Sequence, residues 1–186
     1  NALIKVGDAI SLAREEIKQA NQKDILIAKE NGMKPALLDR LTLTDARIDG
    51  MVEGLLQLVQ LEDPVGEIKS MKTRPNGLMI GYKKVPLGVV AIIYESRPNV
   101  TVDAFGLTFK SGNAVVLRGG SDSINSNKKL VEIIRKSLEE SNINPDAVIL
   151  VTETDRKYVD ELMKLNQYID VIIHRGGYGL IKNVVQ

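Results

Sequence analysis

The sequence contains no cysteine and no tryptophan, and aromatic residues make up only 4% of its 186 residues. Without cysteine, the chain holds no disulfide, no thiolate zinc site and no cysteine nucleophile. His174 is the single histidine, which argues against a histidine-based site, so no metal is expected. Apolar runs such as Val89–Tyr94 and Ala147–Val151 are far too short to span a bilayer.

The sequence also lacks an excess of charge of either sign. Its 25 Lys and Arg residues nearly balance 24 Asp and Glu residues, and the net charge is +1. There is no basic excess and no charged block, so neither a nucleic-acid partner nor a membrane partner is expected. With 44% hydrophobic residues, the composition is typical of a cytoplasmic helix-and-sheet protein that packs Leu, Ile and Val in its core.

Residues 1–62 are predicted to form a helical N-terminal segment. A helical apolar period begins at Ala2 and continues to about Asn21. A second helix is predicted from about Thr44 to Leu61, with Thr44 as its N-cap. Its buried stripe is expected to consist of Ile48, Met51, Val52, Leu55 and Val59.

Residues 66–86 are predicted to form a β-hairpin arm. The segment Arg74–Gly77 reads R-P-N-G, and Asn-Gly between two extended runs is a strong hairpin signal. The strands are predicted at Glu67–Thr73 and Leu78–Lys84. An isolated two-stranded arm is only marginally stable, so it is expected to lie on other structure or on a second subunit.

Residues 88–186 alternate between short apolar strands and amphipathic helices. This alternation predicts an α/β fold with a doubly wound, Rossmann-like parallel sheet covered by helices on both faces. The predicted strands are Val89–Tyr94, Ala114–Leu117, Val148–Val151 and Asp170–Ile173. The predicted helices are approximately Val102–Lys110, Ser123–Glu140 and Asp155–Leu165.

The first candidate site is the turn Glu95–Asn99, which follows the first of these strands. In open parallel sheets, ligands bind at the carboxyl ends of the strands. Arg97 can hold an anionic group through two parallel hydrogen bonds, and Asn99 can donate to an oxygen. The alternative is an ordinary polar turn in which Asn99 or Thr101 caps the next helix. The residues alone do not decide between the two.

Two more turns follow strands, at Arg118–Ser121 and at His174–Leu180. Each contains glycines before a helix, which suits a phosphate bound at a helix N-terminus, and Arg118 adds positive charge. The alternatives are a flexible turn for the first and, for His174, a satisfied strand-end residue. Three such turns at one sheet edge predict a phosphate-rich ligand such as a dinucleotide, although the fingerprint G-x-G-x-x-G is absent.

Six segments of this sequence match those of a known family in the right order. They are Leu41–Met51, Asp63–Gly66, Val85–Val90, Tyr94–Thr101, Ser111–Gly120 and Tyr168–Gly177. On these segments the chain resembles the gamma-glutamyl phosphate reductases, also called glutamate-5-semialdehyde dehydrogenases, of the aldehyde dehydrogenase superfamily. The resemblance covers nearly the whole chain.

The resemblance implies a parent enzyme that reduces L-glutamate 5-phosphate to L-glutamate 5-semialdehyde with NADPH, in the second step of proline biosynthesis. A cysteine thiolate displaces phosphate, and the resulting thioester accepts hydride from the nicotinamide. In the family that cysteine lies downstream, in a second domain. We therefore expect residues 1–186 to be the NADP-binding domain of a longer chain, and helical patterns without end signals agree with this.

The resemblance also implies roles for the turns and for the arm. Asn99 would bind an oxyanion beside the thiolate, although Glu-Ser-Arg-Pro-Asn replaces the superfamily's usual Pro-Trp-Asn. The arm, residues 66–86, would join copies into a homo-oligomer, and some relatives carry a glutamate 5-kinase domain, so coupling to that kinase is implied. The cofactor-binding residues would be Glu95, Ser96, Arg97, Pro98, Arg118, Gly119, Gly120, Ser121, Gly176, Gly177 and Gly179.

A second hypothesis also accounts for the absent cysteine. The chain would then be a stand-alone nucleotide-binding or interaction module without catalysis. An unrelated doubly wound binding domain is a third hypothesis, and it would require the six shared segments to be coincidental. The helical patterns that run to both ends without caps favour a piece of a normal enzyme.

Overall fold

The computed structural model of the chain describes residues 1–155 and 157–176. Within these residues no helix is long and apolar enough to cross a membrane. The helices are α1 (Ala2–Leu12), α2 (Arg14–Glu30), α3 (Pro35–Leu41), α4 (Asp45–Gln60), α5 (Asn99–Lys110), α6 (Ile124–Glu139) and α7 (Lys157–Leu162). The strands are β1 (Ile68–Thr73), β2 (Met79–Lys83), β3 (Val89–Tyr94), β4 (Ala114–Arg118), β5 (Val148–Leu150) and β6 (Val171–Arg175).

Four parallel strands form the central sheet, in the order β5-β4-β3-β6. Side chains of β3 alternate between two buried layers. Val90 and Ile92 belong to the main core with the helices on one face, whereas Ala91 packs with Val159 and Leu162 of α7 on the other. The predicted doubly wound α/β sheet is therefore confirmed, with strand ends shifted by at most two residues.

The predicted extent of the first helix is wrong. The chain bends at Ala13, where φ is −87° and ψ is 14°, and a separate helix then continues to Glu30. Helix α1 packs on α4 and α6, whereas α2 packs on α6 and α3, so the two helices differ in one of their main packing partners. Alanine has the highest helix propensity, so long-range packing decides this break.

Helix α4 follows the sequence prediction closely. Its N-cap is Thr44, whose hydroxyl accepts a hydrogen bond from the Arg47 amide at 3.3 Å. Of the predicted stripe, Ile48, Met51 and Leu55 are buried, while Val52 and Val59 are partly buried. This stripe packs against α1 and α5, which fixes α4 beside the sheet.

Strands β1 and β2 form the predicted antiparallel hairpin. The Arg74 amide donates to the Leu78 carbonyl at 2.8 Å, and Gly77 has a φ of +85°, as an Asn-Gly turn requires. Every residue of both strands is exposed, including Ile68 and Tyr82. Within the described chain the arm is not covered by other structure, so contact with a second subunit stays a prediction.

Two of the segments shared with the family hold the start of β3. Asn113 is 7% exposed, and its Oδ1 accepts hydrogen bonds from the amides of Leu87 at 2.6 Å and Gly88 at 2.9 Å. Gly88 has a φ of +117°, and a Cβ at this position would collide with the Asp170 carboxylate. That carboxylate accepts from the Val89 amide at 2.8 Å. These segments therefore position the strand that carries the first turn.

Candidate functional site

The first two predicted turns and the described beginning of the third lie side by side at the carboxyl edge of the sheet. Strand β3 lies between β4 and β6, and Ile93 is paired with Arg118 on one side and with His174 on the other. Gly120 of the second turn comes so close to the first that a Cβ there would lie 3.2 Å from the Ser96 amide nitrogen. The structure thus brings together the turns that the sequence pattern placed at one edge.

The first turn is tied to the second by a side chain. The Ser96 hydroxyl donates to Asp122 Oδ2 at 2.7 Å. Glu95 and Arg97 are exposed, whereas Pro98 is buried and immediately precedes α5. The side chains of Glu95 and Arg97 therefore face solvent at this edge, and Pro98 supports the entry into the helix.

Asn99 is the first residue of α5 and does not cap it. Its Nδ2 donates to Asp103 Oδ2 at 3.3 Å. Thr101 is buried and does not cap the helix either, because its hydroxyl bonds to other buried side chains. The alternative in which one of these two residues is the cap is therefore wrong. Burial raises the pKa of Asp103, and the Arg175 charge and the Asn99 hydrogen bond oppose that rise.

A buried chain of hydrogen bonds lies beneath the turns, and the sequence pattern did not indicate it. The hydroxyls of Tyr94 and Thr101 are 2.7 Å apart, and Thr101 donates to Asn127 Oδ1 at 2.9 Å. Asn127 Nδ2 donates to the Ser123 hydroxyl at 3.1 Å, and that hydroxyl donates to the Gly120 carbonyl at 3.3 Å. Burial raises the pKa of Tyr94, which keeps it a neutral donor. The chain fixes the backbone of the second turn.

The two glycines of the second turn are required by packing within the protein. A Cβ on Gly119 would collide with Asn127 Nδ2 and would lie 3.2 Å from the Tyr94 ring. The space beside Gly120 is taken by the backbone at Ser96. Close packing within the chain therefore explains both glycines. Their approach to a ligand stays a prediction.

An internal carboxylate occupies the N-terminus of α6. Asp24 of α2 is 2% exposed and accepts from the backbone amides of Asn125 at 3.1 Å and Ser126 at 2.8 Å. It also accepts from the Asn125 amide side chain at 2.8 Å and from the Ser126 hydroxyl at 2.6 Å. These donors are the ones a phosphate would use at a helix terminus. Asp24 already uses the donors of Asn125 and Ser126, and phosphate binding by the second turn itself stays a prediction.

Arg118 lies under the second turn and is only 8% exposed. Its Nη1 donates to the Gly119 carbonyl at 2.8 Å, and its Nη2 donates to the Thr154 carbonyl at 2.7 Å. The guanidinium thus joins the end of β4 to the segment that follows β5. Its positive charge remains within the turn.

The third turn is described only at its beginning. Arg175 is exposed and is paired with Tyr94 in the sheet, and Gly176 follows it. Gly177 and Gly179, two of the predicted cofactor-binding residues, lie outside the described residues. Burial lowers the pKa of His174, so its ring is uncharged at neutral pH.

Two adjoining clefts open beside the first and third turns. The first has a volume of about 370 Å³ and lies between α3, the Glu95–Arg97 segment and Arg175–Gly176. The second, of about 530 Å³, lies between α3, α4 and α5 and is lined by Arg47 and Asp103 among others. Arg40 lines both clefts. Sequence reasoning missed these side chains, because no local pattern relates helices α3 and α4 to the sheet edge.

The chain is similar to known proteins along its whole length. Over 184 residues it is 64% identical to the gamma-glutamyl phosphate reductase of Lachnospira eligens, which covers 99% of the chain. It is 50% identical to that of Clostridium tetani over 185 residues. The chain matches part of the gamma-glutamyl phosphate reductases. It spans 44% and 43% of the length of these two relatives, and no family model matches it.

Solved structures of the gamma-glutamyl phosphate reductase family share its fold. The enzyme from Thermotoga maritima superposes with a TM-score of 0.96 at 46% identity, over 99% of this chain and 44% of that one. The Saccharomyces cerevisiae enzyme gives 0.90 at 31% identity, over 98% and 47% of the two chains. A probable aldehyde dehydrogenase from Listeria monocytogenes gives 0.73 at 19% identity, over 99% and 38%. The last likeness shows that the fold is that of aldehyde dehydrogenases.

Proposed function

We propose that this chain is the cofactor-binding part of an enzyme that reduces L-glutamate 5-phosphate to L-glutamate 5-semialdehyde and phosphate, with NADPH as reductant. The observation that carries the proposal is the 64% identity to a gamma-glutamyl phosphate reductase over 99% of the chain, all three turns included. The edge of the sheet where the turns meet is the position at which open parallel sheets bind ligands.

The proposed cofactor site is made by the three turns, with residues 1–186 forming one NADP-binding domain. An engineered glycolyl-CoA reductase solved with bound NADP+ has a similar fold, with a TM-score of 0.65 at 18% identity. When bound, the nicotinamide supplies the hydride. The backbone between Glu95 and Ser121 is held rigidly by the Ser96–Asp122 bond and by the buried chain that ends at Gly120. Such rigidity favours a preformed site.

Asn99 is proposed as the group that binds the oxyanion. Its side-chain amide has two N–H donors, and the bond to Asp103 uses one of them. The second donor is then available to an oxygen that develops negative charge. The nucleophile must come from outside these residues, because the sequence contains no cysteine. We therefore expect the 186-residue chain by itself to show no turnover.

An assay of the full-length protein that carries this chain tests the proposed function. We expect oxidation of L-glutamate 5-semialdehyde to reduce NADP+ only when inorganic phosphate is present, because phosphate is the second product of the forward reaction. Spectrophotometry of NADPH at 340 nm measures the rate. Reduction of NADP+ that needs no phosphate, or none under any condition, would contradict the proposal, and the latter result would favour a binding module without catalysis.

NADPH is proposed to bind in preference to NADH because Arg118 places a positive charge in the second turn. Replacing Arg118 with glutamine is expected to reduce that preference roughly tenfold, the lower limit for a hydrogen bond to a charged group. Calorimetric titration of both cofactors measures the ratio. If the affinity for NADH falls as much as that for NADPH, Arg118 acts only structurally, by linking the carbonyls of Gly119 and Thr154.

The hairpin is proposed to join copies of the chain into a homo-oligomer. It exposes a set of large apolar side chains that a monomer would keep in water: Ile68 at 60%, Met79 at 65% and Tyr82 at 76%. Exposed apolar surface of this kind marks an interface. The same proposal includes coupling to a glutamate 5-kinase, which would supply the acyl phosphate. It also includes a cytoplasmic location.

A further inference from the structure

Two arginines from separate elements converge on the clefts beside the first turn. Arg40 of α3 and Arg97 of the first turn line both clefts. Within residues 1–155 and 157–176, no hydrogen bond or ion pair engages either guanidinium group. Arg47 also lines the second cleft, but it is bound to Asp39 and to the Thr42 carbonyl at 2.7 Å. Arg40 and Arg97 are therefore two cations placed to receive an anion from either cleft, and Arg175 adds a third at the first cleft.

A carboxylate lies in the same cleft. Asp103 of α5 lines the second cleft together with Arg40 and Arg97, and its Oδ2 is held by Asn99 Nδ2. A phosphate in this cleft would bring two or more negative charges towards a carboxylate, which is unfavourable. The head group of an α-amino acid carries one carboxylate and one ammonium on the same carbon. The two charges of that head group match a cleft lined by two arginines and an aspartate.

The position of the clefts suits this ligand. They begin at the carboxyl end of β3, next to the turns, and volumes of about 370 and 530 Å³ are within the range of small-molecule sites. We propose that Arg40 and Arg97 bind the α-carboxylate of the substrate, and that Asp103 binds its α-ammonium group. The proposal rests on the proposed function, since it assigns the recognition of the glutamyl part of that enzyme's substrate. Arg97 then serves the substrate rather than the cofactor.

Three aldehydes that lack one or both charged groups of the amino-acid head group test the proposal in the full-length protein. In the phosphate-dependent oxidation, 5-oxopentanoate keeps the carboxylate and lacks the ammonium, 4-aminobutanal keeps the ammonium and lacks the carboxylate, and pentanal lacks both. We expect Arg97→Gln and Arg40→Gln to lower kcat/KM for 5-oxopentanoate roughly 10- to 100-fold, and that for pentanal less than about threefold. Asp103→Asn is expected to lower kcat/KM for 4-aminobutanal only.

The matched control is Lys5→Gln, which removes an exposed positive charge on α1, away from the clefts. It is expected to leave every kinetic constant unchanged. An equal loss on pentanal and 5-oxopentanoate would overturn the proposal, because it would show a structural role for the arginines. A higher KM for phosphate or for NADP+, with 5-oxopentanoate unaffected, would also overturn it and would assign the arginines to those ligands.

Binding of L-glutamine separates this proposal from the proposed function. L-Glutamine carries the complete α-amino acid head group and an uncharged side chain. Calorimetric titration with it therefore measures the affinity for the head group in the absence of turnover. If the protein oxidises no aldehyde but binds L-glutamine and loses that binding in Arg97→Gln, the proposed function fails and the head-group site stands. If it binds no L-glutamine and the variants leave the aldehyde kinetics unchanged, the head-group site is refuted.

Discussion

Replacing Asp24 with alanine is expected to lower the free energy of unfolding by about 3–4 kcal/mol. The carboxylate is buried and accepts four hydrogen bonds from Asn125 and Ser126, at the start of α6. Its removal leaves one buried and one part-buried backbone donor of a helix terminus without their partner, and also a cavity. The same change removes the hydrogen bonds by which α2 holds the start of α6, a helix that it packs against.

Urea denaturation followed by circular dichroism measures this effect. Asp8→Ala is the matched control, because Asp8 is an exposed aspartate on α1, and we expect it to change stability by less than about 0.5 kcal/mol. Asp24→Asn should lie between the two, since the amide keeps an acceptor oxygen but loses the charge. A loss of less than about 1 kcal/mol for Asp24→Ala would show that water replaces the carboxylate at this terminus.

Replacing Gly119 with alanine is expected to cost about 2–4 kcal/mol of stability in the absence of any ligand. The added Cβ would collide with Asn127 and press on the Tyr94 ring, and both of these side chains are buried. Asn127 cannot move away without breaking its bonds to Thr101 and Ser123. The substitution therefore disturbs the second turn through packing, whatever the turn binds.

The control for Gly119 is Gly50 of α4. A Cβ on Gly50 meets nothing within 4 Å, and alanine in a helix interior is favoured over glycine. Gly50→Ala should therefore raise stability by roughly 0.5–1 kcal/mol. Denaturation curves of the two variants test this contrast. If Gly119→Ala unfolds at the same urea concentration as the unaltered protein, the packing explanation of this glycine is wrong.

The strands were predictable from the sequence, and the break in the first helix was not. Val89–Tyr94 is uniformly apolar because both faces of β3 are covered, and a six-residue run of this kind is visible without any tertiary information. The bend at Ala13 has no local cause, since the residues on both sides favour a helix. It follows from the different packing partners of α1 and α2, which no short window of sequence contains.

The same distinction applies to the candidate site. The three turns were predicted because parallel strands bring their carboxyl ends to one edge. Asp24 is 102 residues from Ser126, and this pairing is invisible to periodicity. Arg40 likewise reaches the cleft of Arg97 from a short helix whose pattern gave no sign of function. Side chains from the N-terminal helices therefore lie beside the turns of the candidate site, which sequence reasoning placed in the sheet alone.

Several of the segments that resemble the family contain residues that stabilise the fold. Asn113 clamps the backbone at Leu87 and Gly88, and Gly119 accommodates Asn127. A loss of cofactor binding after a change at these positions would therefore reflect displacement of the turns as well as any lost contact. Arg97 and Arg40 are better sites for functional substitutions, because both side chains are exposed and no hydrogen bond or ion pair within the described residues ties them to another element.

Hydrogen–deuterium exchange of the full-length protein, with and without NADPH, tests the central claim most directly. The claim is that the three turns at the carboxyl edge of the sheet form one cofactor site. Mass spectrometry should show slower exchange in peptides that cover residues 94–99, 118–123 and 171–176, with little change in α1 and in the exposed face of α6. Slower exchange confined to other surfaces, with these three segments unchanged at saturating NADPH, would contradict the account.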